Sequence, residues 1–146
     1  MKFDLTQEQK MIKDMTRKFA AEELAKDSIK RDIEKIWPKE QISKMADLGL
    51  LGIMVDSEWG GNNMDAISYC IAMEEIAKVD ASAAVVMSVN NSLVCYIFEK
   101  YANNEQKEKY LIPLAKGSKL GCFSLSEPQS GSDASNMNVY AKEDGD

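Results

Sequence analysis

The residue types with chemistry to offer gather in one run of the 146-residue chain, Phe123-Ser124-Leu125-Ser126-Glu127-Pro128-Gln129-Ser130-Gly131-Ser132, with Asp133 behind it. Ser126, Ser130 and Ser132 supply small hydroxyls, Pro128 stiffens the approach, and Gly131 permits unusual dihedrals and close contact. A loop of this kind can offer backbone N–H groups and hydroxyls to a phosphate, or to the carbonyl edges of a planar ring. The same composition also describes an ordinary Ser/Gly turn between two strands.

Elsewhere the composition mostly excludes. There is no histidine, so imidazole bases, Ser-His-Asp triads and His-bearing zinc sites are out of reach. Cys70, Cys95 and Cys122 are odd in number and spaced by about one element each. That is neither a disulfide framework nor a metal-ligand pattern, and it fits a reducing, cytoplasmic setting with no metal site. The formal charge is −6, and every Lys/Arg cluster is interleaved with carboxylates, which argues against nucleic acid. No window approaches the roughly 18 to 20 unbroken apolar residues of a membrane span. The start, Met1-Lys2-Phe3-Asp4, turns charged at once, unlike a secretory signal. With 45% hydrophobic and 29% charged residues the chain reads as a soluble globular protein.

The elements that must position the run are helical. Thr6-Gln7-Glu8-Gln9 is a capping box, and Met11, Ile12, Met15, Phe19 and Ala20 follow on one face, predicting a helix to about Ala25. Residues 26–35 form a charged stretch. Pro38 then suits a first helical position, with Ile42, Met45, Ala46 and Leu48 as a stripe and Gly49 as C-terminal cap. Residues 50–64, with Gly60-Gly61-Asn62-Asn63, read as a long loop. Asp65 caps a helix to about Val79 with Ile67, Cys70, Ile71, Glu74 and Ile76 along it. Asp80 caps the next, which runs to about Ala102 and is apolar on most of its circumference, the mark of a central helix. Asn104 starts the last, with Tyr110, Leu111 and Leu114 inward and Gly117 at its end.

Then the period changes to two. Leu120-Gly121-Cys122-Phe123-Ser124-Leu125-Ser126 is strand-like, Met137-Asn138-Val139-Tyr140-Ala141 is a weaker second strand, and Asp144-Gly145 is a hairpin-turn pair with no return strand after it. The expected fold is therefore mainly α. An N-terminal bundle of five to six helices fills residues 1–117, and the first strands of an incomplete β domain fill 118–146. An unpaired edge of this kind invites self-association.

Leu125-Ser126-Glu127-Pro128-Gln129-Ser130-Gly131-Ser132-Asp133 resembles the L-T/S-E-P-x-x-G-S-D signature of the acyl-CoA dehydrogenase family, and of its short-chain, butyryl-CoA members in particular. Leu50-Gly52-Ile53 with Trp59-Gly60-Gly61 is similar to a second family motif. Ser88-Val89-Asn90-Asn91-Ser92-Leu93 and the later Glu105-Gln106-Lys107 resemble its fifth and sixth helices. The resemblance covers all 146 residues, less than half of a complete member. It departs at Ser126, where Thr is usual, at Gln129, where a small residue is usual, and at Ser57-Glu58, where Pro-Glu is usual.

That resemblance implies that Phe123, Ser124, Leu125, Ser126, Glu127, Pro128, Gln129, Ser130, Gly131 and Ser132 line FAD. Ser126 would lie near the isoalloxazine edge and Ser132 near the pyrophosphate and the acyl-CoA thioester. Val85, Val86 and Val89 would floor a short acyl pocket, although as plain core residues they need no pocket at all. It implies oxidation of an acyl-CoA to the trans-2-enoyl-CoA with hydride transfer to the flavin, electron-transferring flavoprotein as partner, and a homotetramer. The base of that reaction belongs to a glutamate of a C-terminal helical domain, to which no residue here corresponds. The resemblance thus assigns no catalytic residue to this chain, and it implies an inactive piece that binds FAD weakly or not at all. Two alternatives stay open: a piece of an acyl-CoA oxidase, or a helical interaction and assembly module without catalysis.

Overall fold

A computed structural model describes residues 4–145. Residues 1–3 and 146 lie outside them, including most of the charged start read above as no secretory signal. Six helices form among the described residues, joined by short turns and one long irregular segment.

Helix α1, Gln7–Phe19, begins with the expected capping box: Thr6 Oγ1 accepts from Gln9 N–H at 3.1 Å, and Gln9 Oε1 accepts from Thr6 N–H at 3.0 Å. It runs on through a π-helical turn, Ala20–Leu24, and buries Ile12, Thr16, Phe19, Ala20 and Leu24. Helix α2, Ser28–Glu34, falls in the charged stretch. Ile29 and Ile33 point outward, Ile33 with 73% of its surface exposed. What fastens α2 is Arg31, buried, donating to the Leu24 carbonyl and to Asp80 Oδ2, both at 2.8 Å.

Helix α3, Lys39–Asp47, buries Ile42 and Met45, with Pro38 in the capping position just before it. Helix α4, Ala66–Ala77, is capped by Asp65, which accepts from Ser68 N–H at 2.6 Å. Its buried side carries Ser68, Ile71, Ala72, Glu75 and Ile76, so Ile67, Cys70 and Glu74 of the expected stripe face outward. α4 has apolar residues on several sides, and packing against α1 selects among them. Glu75 fixes that choice by taking Arg17 of α1 on both oxygens, at 3.1 and 3.2 Å.

Helix α5, Ala81–Tyr101, is the one described helix long and apolar enough to cross a membrane by length and composition, with 21 residues and a mean hydropathy of 1.5 over its best window. Buried Asn90 and Asn91 interrupt it. In this fold it is the central helix. Ala83, Ala84 and Met87 join the larger apolar cluster with α1, α3 and α4, and Val94 and Cys95 join a second with Leu111, Leu114 and Ala115 of the last helix. Its middle, Val89–Cys95, is π-helical. Helix α6 follows as Asn104–Gln106, Lys107–Leu111 and Ile112–Ala115 in succession, opened by a capping box of Asn103 and Gln106. Leu111 and Leu114 are buried as expected, whereas Tyr110 sits at the surface against the Phe98 ring.

The irregular residues 50–64 are buried through Leu50, Leu51, Gly52, Ile53 and Val55. Buried backbone must find partners, and here α5 supplies them. Asn91 Nδ2 donates to Leu50 O at 2.9 Å and Asn91 Oδ1 accepts from Ile53 N–H at 3.0 Å. A Cβ on Gly52 would lie 2.5 Å from the Ala115 carbonyl oxygen, so only glycine lets this segment approach α6 so closely.

Beyond α6 no strand ladder forms among the described residues; the only β pairing is an isolated bridge between Glu127 and Ser130. A ladder needs a neighbour, and the described residues bring none alongside residues 120–126.

Candidate functional site

The run over 123–132 is launched from one fixed point. Gly121 N–H donates to Asn90 Oδ1 at 3.0 Å, and a Cβ there would lie 2.6 Å from Val94 Cγ1, so the backbone presses directly on α5. The backbone N–H groups of Cys122, Phe123, Ser124, Leu125 and Ser126 then make no hydrogen bond among the described residues. Phe123 and Leu125 are exposed beside them.

The segment closes on a tight turn. Glu127 N–H donates to Ser130 O at 2.9 Å and Ser130 N–H to Glu127 O at 3.0 Å, with Pro128 and Gln129 at the centre, a position Pro favours. Ser130 is buried, and its hydroxyl donates to the Asp133 carbonyl. The hydroxyls of Ser124, Ser126 and Ser132 are exposed. Gly131 has open space around its Cβ direction, so the chain's own packing does not demand a glycine there.

Glu127 is the one carboxylate of the run. Its oxygens accept from Asn138 N–H at 2.7 Å and Val139 N–H at 3.0 Å, folding the 137–141 stretch back on the turn. The Asn138 amide above all, with Gln129 and Val139, holds its pKa below the ordinary glutamate value of 4.5. A carboxylate so held braces a loop and is a poor base.

Of the three valines, Val85 is 59% exposed, while Val86 and Val89 are half-buried. Val86 lines a cavity of about 580 Å³ between α2 and the start of α5, with Trp37 and Ile36 across from it. Val89 directly precedes Asn90, the residue that holds Gly121. The valines and the 123–132 run thus come from one helix and the segment fastened to it. Sequence reasoning missed Asn90, reading it only within a family motif; two adjacent amides in a mostly apolar helix were the available signal. No group of three His, Cys, Asp or Glu residues among the described ones could hold a metal ion.

The donor set suits a flavin. Free backbone N–H groups and small hydroxyls match the polar edges of a conjugated ring system, and exposed Phe123 and Leu125 offer an apolar surface for its face. The arrangement can bind and orient such a ring; it places no base beside it.

Comparison with known proteins bears on both fold and family. A butyryl-CoA dehydrogenase from Megasphaera elsdenii superimposes with a TM-score of 0.87 at 37% identity, over 94% of this chain and 37% of that one. A chain from the structure of the electron transferring flavoprotein of Acidaminococcus fermentans gives 0.89 at 43% identity, over 93% and 36%. The helical fold is therefore that of the first portion of such dehydrogenases. The short-chain specific acyl-CoA dehydrogenase of Clostridium acetobutylicum is 38% identical over 146 residues, all of this chain and 38% of its own length. The human mitochondrial short-chain specific enzyme is 42% identical over 143 residues, 98% of this chain and 35% of its own length. Residues 6–118 match the acyl-CoA dehydrogenase N-terminal domain. The chain belongs to the acyl-CoA dehydrogenase family through that domain. It spans little more than a third of the length of these curated relatives.

Proposed function

We propose that this chain supplies the N-terminal helical domain, residues 1–117, and the first flavin-facing segment, within 118–146, of an FAD-dependent dehydrogenase of short-chain acyl-CoA thioesters. The observation that carries the reading is the run over 123–132. It is held to the bundle at Gly121 with unused N–H groups and exposed hydroxyls, in a chain that aligns along its whole length with a short-chain specific enzyme. FAD held by these residues would supply the acceptor for the β-hydride, while a base outside these 146 residues takes the α-proton, and loss of both converts the acyl-CoA to the trans-2-enoyl-CoA.

The residues of this chain bind and orient. Phe123 and Leu125 would offer an apolar surface to the ring, the Ser126 hydroxyl and free N–H groups of the segment would hold its polar edge, and Ser132 would hold the pyrophosphate and border the thioester. Ser124, Pro128, Gln129, Ser130 and Gly131 complete the lining, and Glu127 braces it. Val85, Val86 and Val89 limit the acyl chain, their β-branched bulk favouring a short one. The likeness to a chain of the Acidaminococcus structure supports an electron-transferring flavoprotein as acceptor. Exposed, unpaired Cys70 and Cys122 support a reducing, cytoplasmic setting. Exposed apolar residues of α2 and α5 support homo-oligomer assembly, a tetramer by resemblance.

The test joins these 146 residues to the remaining length of the Clostridium relative, incubates the chimera with FAD, desalts it and records a visible spectrum. Retained flavin bands that bleach on adding butyryl-CoA are expected. A folded chimera that stays colourless overturns the reading.

A further inference from the structure

We propose that Asn90 is a positioning residue for the flavin-facing segment, its buried carboxamide fixing Gly121 to helix α5 and to the end of α6. The proposal rests on the reading that residues 123–132 face flavin.

Asn90 has no exposed surface, and every hydrogen-bonding group of its side chain is used. Nδ2 donates to Leu51 O at 2.8 Å and to Leu114 O at 3.1 Å, while Oδ1 accepts from Gly121 N–H at 3.0 Å. One amide thus joins the irregular 50–64 segment, the last turn of α6 and the start of the site segment, all on α5. No other side chain of that size does this. Aspartate has no donor and would set a charge against two carbonyls, and leucine would leave Leu51 O and Gly121 N–H unpaired and Leu114 O with the Gly117 amide alone.

The π-helical turn Val89–Cys95 puts two neighbouring amides to inward use: Asn91 grips Leu50, Ile53 and Met87, while Asn90 also reaches Gly121. Such turns recur at functional sites. Because residues 122–126 make no hydrogen bond among the described residues, Gly121 is the last bonded backbone group before them, and where it is held sets where they lie. The Val94 contact one turn along fixes the same point from the side. A displacement of Gly121 is therefore passed on to Phe123, Leu125 and Ser126.

The experiment compares Asn90→Leu with Asn91→Leu, which removes the same kind of amide one residue on without touching Gly121. NMR hydrogen exchange at the Gly121 amide is read in the chain, and the flavin dissociation constant and thermal midpoint in the flavin-binding chimera. Asn90→Leu is expected to speed Gly121 exchange at least tenfold and weaken flavin binding at least tenfold. Asn91→Leu, at a comparable drop in thermal midpoint, leaves flavin affinity within twofold. Should Asn90→Leu fail to fold, Asn90→Ala is read in its place; it also takes the acceptor from Gly121 N–H, so faster Gly121 exchange with weakened flavin binding is expected of it, and unchanged binding overturns the role. Equal loss of flavin affinity in the Asn90→Leu and Asn91→Leu variants overturns it, as does Gly121 exchange indifferent to Asn90. A wild-type chimera that takes up no flavin overturns the flavin reading, and this role with it. Gly121 exchange then still reports whether the tie exists, so the two failures are told apart.

Discussion

At the scale of single residues, burial sorts groups of one type into different chemistry. Cys95 is buried, and desolvation pushes its thiol up to about 12, with Glu99 adding to the rise, whereas Cys70 and Cys122 are exposed. Since thiolate is the reactive form, an aromatic disulfide reagent near pH 8 should titrate two thiols in the folded chain and a third only in denaturant; three fast thiols would contradict this burial. Glu127 behaves in the opposite sense. Its pKa is lowered in the folded state, so its grip on the Asn138 and Val139 amides is present above the ordinary value of 4.5 and is lost as pH falls below it. Amide shifts of Asn138 and Val139 followed by NMR should move together in that acid range, and Glu127→Gln should abolish the transition. Arg31 and Asp80 form a buried pair in which Arg31 Nε and Nη1 find no hydrogen-bond partner among the described residues. Asp80→Asn keeps the amide-accepting oxygen that caps α5 but strands a buried charge, which costs about 3–5 kcal/mol. Urea denaturation should show that loss, and Arg31→Met added to it should recover part.

At the scale of elements, two glycines and two asparagines decide how closely segments approach. Gly52 passes α6 where a methyl group would collide with the Ala115 backbone. Gly52→Ala should therefore destabilise the chain by about 1–3 kcal/mol, the usual cost of overpacking, and a thermal midpoint equal to wild type would refute that packing. The two central clusters meet along α5, and its π-helical turn sits at their junction. The caps at Thr6, Asp65 and Asp80 were legible in the sequence because each bond spans three residues, whereas the last helix was read from Asn104, one residue past its Asn103 cap. The inward face of α4 was not, since Arg17, which fixes it, lies 58 residues from Glu75.

Over the whole molecule, apolar surface remains uncovered. Ile29, Ile33 and Trp37 are exposed at α2 and just beyond it, and Val85, Tyr96 and Ile97 on α5. Exposed apolar surface of this extent marks faces that meet other protein. Sedimentation velocity across a hundredfold concentration range should reveal reversible association; a single monomer species throughout would argue against it.

The sequence by itself determined most helices, their caps and the run over 123–132, because these depend on side-chain spacing and on bonds to near neighbours. The tertiary structure alone decided that α2 exists, through an ion pair between residues 49 apart, and which side of α4 is buried. It also decided that Asn90 holds Gly121 across 31 residues. Local chemistry is written in adjacent letters, whereas a buried polar group takes whichever distant partner the packed core brings within reach.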